Sequence, residues 1–196
     1  MSLKEYQEAY ITSSKLHADN IMKNGPMAPF GLPAPQPEQL KRIDFILSCT
    51  EGEILDVGSD SGYMLSRCGG GVGVDISIRR LKAAKHWSFF VTFVQAIAEN
   101  LPFTQAFDTV IASELLEHVL YPEVVLAEIA RVLKPNGRIV VTVPDEIHGK
   151  NHMNPEHLRR FSRSGLRKLL EQYFCIECFE YITGNYPVLC FCGRRN

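Results

Sequence analysis

The sequence has no apolar run approaching the ~20 residues a membrane-spanning helix needs, so an integral membrane protein of that kind is not expected. It also lacks a charge excess. Its 21 Lys and Arg stand against 22 Asp and Glu, a formal net charge of −1. A whole-molecule electrostatic grip on nucleic acid or anionic lipid is therefore not expected. No internal repeat or low-complexity tract is present, and the composition sets aside disorder, collagen and coiled coil. The opening residues show no basic stretch leading into an apolar one, so no secretory leader is expected. What remains is a globular composition, 45% hydrophobic and 22% charged, in 196 residues. One domain over 1–196 with a real core, located in the cytoplasm, is the expectation.

Cysteine is not scarce. Four of the six form Cys175-x-x-Cys178 and Cys190-x-Cys192 near the end, a spacing that invites a zinc or disulfide reading. Both pairs lie inside apolar, strand-like segments, whereas zinc knuckles favour tight polar turns. Buried cysteine is also a common core residue. Structural thiols filling the core of a terminal hairpin, in a reducing compartment and without a metal, are the expectation.

Residues 3–23 carry a helical spacing of Leu3, Tyr6, Tyr10 and Ile11, followed by a Pro- and Gly-punctuated stretch from Gly25 to Pro37. Glu38–Cys49 reads as a second helix. From Glu53 short strands and helices alternate. Strands are expected at Ile54–Val57, Val72–Ile76, Phe89–Gln95, Asp108–Ala112 and Arg138–Val143. Helices are expected at Tyr63–Arg67, Ser77–His86 behind a serine cap, Pro122–Leu133 and Ser164–Gln172, and a hairpin from Phe174–Tyr181 with Val188–Cys192. This order implies an α/β, Rossmann-like doubly wound sheet of seven strands, mostly parallel with the last antiparallel, and helices on both faces.

Ligands of such sheets bind beyond the carboxyl ends of the strands. The turn Gly58-Ser59-Asp60-Ser61-Gly62 lies there, and glycine lets backbone N–H groups approach a ligand closely. Asp75, at the end of the next strand, is placed to accept ribose hydroxyls, so Gly58, Gly62 and Asp75 together point to an adenosine-type ligand. The cluster Gly69-Gly70-Gly71-x-Gly73 precedes its strand and belongs to the opposite edge.

In order along the chain, Ile54-Leu55-Asp56-Val57-Gly58-Ser59-Asp60-Ser61-Gly62 resembles the first motif of the class I S-adenosylmethionine-dependent methyltransferases. Val72-Gly73-Val74-Asp75-Ile76-Ser77 resembles their acidic second strand. Ala98-Glu99-Asn100-Leu101-Pro102-Phe103, Phe107–Ser113, Leu116-Glu117-His118-Val119 and Arg131-Val132-Leu133-Lys134-Pro135-Asn136-Gly137 are similar, in order and spacing, to the type 11 branch of that family. The resemblance spans about residues 53–145.

It implies S-adenosylmethionine as cofactor. Asp56 and Gly58 would shape the loop around its methionine half, with Ser113 facing that moiety. Asp75 would bind the ribose, Ile76 would pack on the adenine, and Ala98 and Glu99 would flank its edge. Two positions depart from the family pattern: Asp60 stands where glycine is usual, and Ile97 where an acid often meets the adenine amino group. Asp60 can keep the turn if its charge points away from the cofactor carboxylate.

The resemblance also implies methyl transfer, which mainly requires alignment and desolvation of the acceptor. His118 and His148 are the candidate acid–base or acceptor-orienting residues. His152 and His157 share the loop after the fifth strand, and Arg159, Arg160, Arg163, Arg167 and Lys168 form a basic run. The chain then divides into a cap over 1–50, a cofactor-binding core over 51–145, and an acceptor-side loop, helix and hairpin over 146–196. Tyr6, Tyr10, Met27 and Phe30 of the cap would wall the acceptor site or cap the hydrophobic face of the sheet. A small-molecule acceptor is expected, rather than nucleic acid or membrane. The first alternative is a non-catalytic cofactor-binding or partner-binding protein of the same fold, made plausible by Asp60 and Ile97. The second is a nicotinamide oxidoreductase, disfavoured by Asp56 and by the lack of Gly-x-Gly-x-x-Gly.

Overall fold

The computed structural model describes residues 5, 8, 17–23, 36–148, 154 and 156–196. The expectations placed on Tyr6, Tyr10, Met27, Phe30 and His152 lie outside them. Helix α1 is described over 17–23, where Ala18 and Ile21 pack against Ala83. Helix α2 (Pro37–Cys49) starts with proline in its first turn, and the Gln36 N–H donates to Gln39 Oε1 at 2.8 Å.

The core then alternates: β1 (Ile54–Val57), α3 (Tyr63–Cys68), β2 (Gly71–Asp75), α4 (Ile78–Trp87), β3 (Val91–Gln95), β4 (Phe107–Ser113), α5 (Pro122–Val132), β5 (Leu133–Pro144), α6 (Arg163–Leu170), β6 (Phe174–Ile182) and β7 (Val188–Arg195). The strands form one sheet in the order β3-β2-β1-β4-β5-β7-β6. All pairings from β3 to β5 are parallel, while β7 runs antiparallel to both its neighbours. The expected seven-stranded, doubly wound sheet is present.

Alternation along the strands builds two cores. Leu55, Val57, Val110, Ala112, Ile139, Val141 and Phe191 face one side, where α5 and α6 contribute Val125, Leu126, Ile129, Leu166 and Leu170. Ile54, Ile111, Val140, Cys190 and Cys192 face the other, beneath Phe45, Ile46 and Cys49 of α2 and Leu65 of α3. The central strands β1, β4 and β7 are buried on both faces, whereas the edge strands β3 and β6 are only partly covered.

Several boundaries differ from expectation. β3 begins at Val91 because its partner β2 begins at Gly71, and those two residues pair; Phe89 and Phe90 are left in an exposed turn. β5 begins at Leu133, since Leu133 pairs with Phe107 ahead of a register irregularity, and Asn136 takes a left-handed φ of 62° there. The Lys134–Gly137 run is thus a bulged strand entry and not only a helix stop. The cysteine expectation is corrected in part. Cys190 and Cys192 fill the core, but Cys175 and Cys178 are exposed, because they lie on β6, an edge strand with a neighbour on one side only.

Candidate active site

At the carboxyl ends of β1, β2, β4 and β5 three clefts adjoin. The first, about 480 Å³, is lined by Val57, Gly58, Val74, Asp75, Ile76, Ala96, Ile97, Ala98, Glu99, Leu115, His118 and Val119. The second, about 960 Å³, includes His17, Arg42, Asp56, Gly58, Ser59, Asp60, Arg80, Ser113, Glu114 and His118. The third, about 920 Å³, is lined by Gln39, Arg42, Glu114, Glu117, His118, Asp145, Glu146, His157, Tyr186 and others. His118 borders all three.

The turn after β1 is held by the sheet itself, because the N–H groups of Gly58 and Ser59 both donate to the Val74 carbonyl, at 2.8 and 2.9 Å. Gly58, Asp60 and Gly62 all take left-handed φ, at 81°, 47° and 70°. A side chain at Gly62 would put its Cβ 2.6 Å from the Phe93 ring, so that position requires glycine for space as well as for φ. Asp60 accepts from His17 Nε2 at 2.9 Å and lies 3.4 Å from Arg80. Although burial opposes it, these two partners hold its carboxyl below the usual range. The charge that replaces glycine is therefore neutralised by α1 and α4.

Asp75 is buried, and its carboxylate accepts the N–H of Ser77 at 2.8 Å and that of Asp60 at 3.2 Å. Burial pushes it up to about 6, despite Arg80 nearby. Asp56 is pushed up to about 7 by burial and by the neighbouring charges of Asp75 and Asp60. At the far end of the first cleft, Glu99 buries an Oε1 with no partner, and its carboxyl is raised by burial. The Ala98–Phe103 segment is fastened from behind: Arg131 donates to the Leu101 and Phe103 carbonyls, at 2.9 and 2.6 Å, and is paired to Glu128.

Ser113 and Thr142, on adjacent strands, share a hydrogen bond of 2.8 Å, and Thr142 donates to Glu114 at 3.2 Å. Glu114 has a left-handed φ of 54°, an uncommon conformation for glutamate, and faces Arg42 at 3.3 Å. His118 Nδ1 lies 3.2 Å from the Glu156 carbonyl, which only accepts, so Nδ1 carries the proton and Nε2 is the accepting nitrogen. Its ring meets His157 edge to face at 4.6 Å. Burial, with His157 adding to it, pushes His118 down to about 4, so it is neutral at pH 7.

Glu117 was not singled out in the sequence as a functional residue, although it lies in the Leu116–Val119 motif. It is fully buried, and neither carboxyl oxygen has a hydrogen-bond partner. Burial and the nearby Glu114 raise it well above the usual carboxylate range, which favours its protonated form. Donor atoms of Glu117, His118 and His157 lie within 4.8 Å of one another. The Glu114-x-x-Glu117-His118 spacing was the available signal. It places several polar groups in a short stretch beyond β4, but their protonation depends on burial the spacing does not reveal.

His148 is at the rim. Its exposed ring bonds to the buried Asp145 at 2.9 Å, and it lines none of the three clefts. The basic run is dispersed: Arg159 donates to the carbonyls of Val119 and Leu120, Arg167 pairs with Glu171, and Arg163 lies over the Phe179 ring. It forms no single anion site among the described residues.

A family model described as a methyltransferase domain matches residues 55–141, from β1 into β5. The match falls on the same stretch as the ordered motifs, which resemble that family. Among curated proteins, the ubiquinone biosynthesis O-methyltransferase of Bradyrhizobium diazoefficiens is 36% identical over 105 residues, which cover 49% of this chain and 42% of that protein. The protein of the same name from Nitrosococcus oceani is 35% identical over 114 residues, or 53% and 48%. The chain spans about half the length of these relatives. Among solved structures, the [4+2]-cyclase SpnF superposes with a TM-score of 0.79 at 19% identity, covering 99% of this chain and 96% of that one. The PH0226 protein of Pyrococcus horikoshii OT3 gives 0.67 at 24% identity, covering 82% and 92%. These likenesses show the shared fold. Among the described residues, no helix is long and apolar enough to cross a membrane.

Proposed function

We propose that the protein transfers a methyl group from S-adenosylmethionine to a small-molecule acceptor, with the acceptor in the cavity lined by Arg42, Glu114, Glu117 and His157. The observation that carries this reading is the meeting of three clefts at His118: one slot bordered by Asp75, Ile76 and Ala98, one polar pocket beside it, and a third cavity facing both. The residues fit the cofactor. Asp75 has carboxylate lone pairs for ribose hydroxyls, Ile76 and Ala98 supply apolar walls for adenine, and the unpartnered Glu99 oxygen gives its polar edge a partner. Gly58 and Gly62 keep the methionine-side turn, with Asp56 and Ser113 lining the same pocket.

The bound cofactor supplies an electrophilic methyl on a sulfonium. The protein's task is then to desolvate the acceptor and orient it. Neutral His118 presents Nε2 as a hydrogen-bond acceptor toward an acceptor O–H, and Glu117, whose carboxyl is raised by burial, can donate a hydrogen bond in its protonated form. An oxygen nucleophile is favoured by the relatives named as O-methyltransferases. The near-neutral net charge favours a small molecule over nucleic acid.

Titration with S-adenosylhomocysteine and with NAD, followed by radiolabelled methyl transfer across small acceptors, protein and RNA, tests the reading. Binding of S-adenosylhomocysteine and labelling of a small molecule are expected. Binding of NAD alone would overturn it, and cofactor binding without transfer to any acceptor class would leave a non-catalytic binding protein.

A further inference from the structure

The sulfur atoms of Cys49, Cys178 and Cys192 lie within 4.8 Å of one another, although each comes from a different element: the last residue of α2, the middle of β6, and β7. Cys178 and Cys192 are direct cross-strand partners, and Cys49 closes the triangle from the helix above. None of the sequence pairs does this. Cys175 turns away to donate to the Asn196 side chain at 3.1 Å, and Cys190 is not part of the group.

We propose that Cys49, Cys178 and Cys192 form a three-thiolate site for a soft divalent cation, Zn2+ being the fitting example, which fastens the C-terminal end of α2 to the β6–β7 hairpin. Tetrahedral zinc holds thiolates at bonds of about 2.3 Å, hence about 3.8 Å apart, so a triangle with edges within 4.8 Å closes on the ion with movements of about 1 Å. The Glu177 carboxylate, 4.0 Å from the Cys192 sulfur, is in reach as a fourth donor. Glu177 is itself held by Arg138 at 3.1 Å and Arg194 at 2.6 Å. Those cations offset the negative charge of a trithiolate complex.

Binding replaces the thiol protons with the cation and releases them to solvent.

The consequence reaches the active site through α2. Gln39, Arg42, Ile46 and Cys49 share the buried stripe of this helix, and Gln39 and Arg42 line the third cleft. At its start, Glu38 accepts the Asn185 N–H at 2.5 Å. The cation would supply the second fastening, at the other end. The site's ability to bind metal does not depend on the methyl-transfer reading.

The test uses the full chain, reduced, stripped with a chelator and titrated anaerobically with Co2+ and then Zn2+. One equivalent of Co2+ with sulfur-to-cobalt charge-transfer absorption, displaced by Zn2+, is expected. Cys178→Ser, at the surface where folding is undisturbed, should weaken binding by roughly 100-fold and Cys49→Ser similarly. Cys175→Ser should leave binding unchanged. Absence of the charge-transfer band, or equal affinity in Cys178→Ser, would overturn the proposal. So would a Cys178–Cys192 disulfide mapped in the isolated protein together with no metal binding after reduction.

Discussion

Arg42 of α2 stands 3.3 Å from Glu114, the residue that follows β4, and both side chains are largely withdrawn from solvent. The pair joins a helix that precedes the matched residues to a crevice residue held at a left-handed φ of 54°. Breaking one partner of a buried pair leaves an uncompensated charge, at a cost of about 3–5 kcal/mol, whereas replacing both avoids it. Arg42→Met should therefore lower unfolding free energy by about 2–4 kcal/mol in urea denaturation, and Arg42→Met with Glu114→Gln should recover more than half of that.

Asp75→Ala removes a buried carboxylate that borders the nucleoside slot and accepts two backbone N–H groups. S-adenosylhomocysteine affinity should fall by about 1.5–3 kcal/mol, read by calorimetry. Unchanged affinity would remove Asp75 from the cofactor site.

Asp56 titrates at about 7 in the folded chain against an ordinary 3.8, because it is buried beside Asp75 and Asp60. The folded state thus holds its proton more tightly than the unfolded one, and this group lowers stability progressively as pH rises from about 4 to 7. Asp56→Asn should raise stability at pH 8 by about 1–3 kcal/mol. A cationic cofactor favours the ionised form, so S-adenosylmethionine should bind more tightly as pH rises through 7 and release protons on binding. Calorimetry in two buffers of different ionisation enthalpy measures that release.

Glu117 is fully buried and its carboxyl is raised well above the ordinary range, so an amide of the same shape should be accepted. Glu117→Gln is expected to shift the thermal midpoint at pH 7 by no more than about 2 °C. Methyl transfer should nevertheless fall, because the acid O–H facing the third cleft is replaced. A large loss of stability would show that the carboxylate is ionised.

Asp60→Gly restores the left-handed turn without strain but leaves His17 and Arg80 without their shared acceptor. Cofactor affinity should change by less than about threefold, since the glycine turn is kept. The α1 segment should be cleaved faster in limited proteolysis, because its polar tether to the core is gone.

The α/β architecture was legible because its signals are local. Apolar runs such as Ile139–Val141 and turn residues such as Gly58 and Gly62 act within a few positions of themselves, and the ordered motifs from Ile54 to Gly137 repeat that local logic. The ends of elements were less legible, since β3 starts where β2 offers a partner and not where Phe89 would permit a strand. Asp75 and His118 could be assigned to the crevice from strand order alone.

Tertiary structure alone decided the rest, and the reason is the same in each case: the property belongs to groups distant in sequence. The Glu117 carboxyl is raised because of what buries it, Asp60 is tolerable because His17 and Arg80 reach it, and the exposed His148 is paired at the rim with Asp145. The cysteines show this most plainly. Their sequence spacing paired 175 with 178 and 190 with 192, while the packing of α2 on the hairpin gathered Cys49, Cys178 and Cys192 instead.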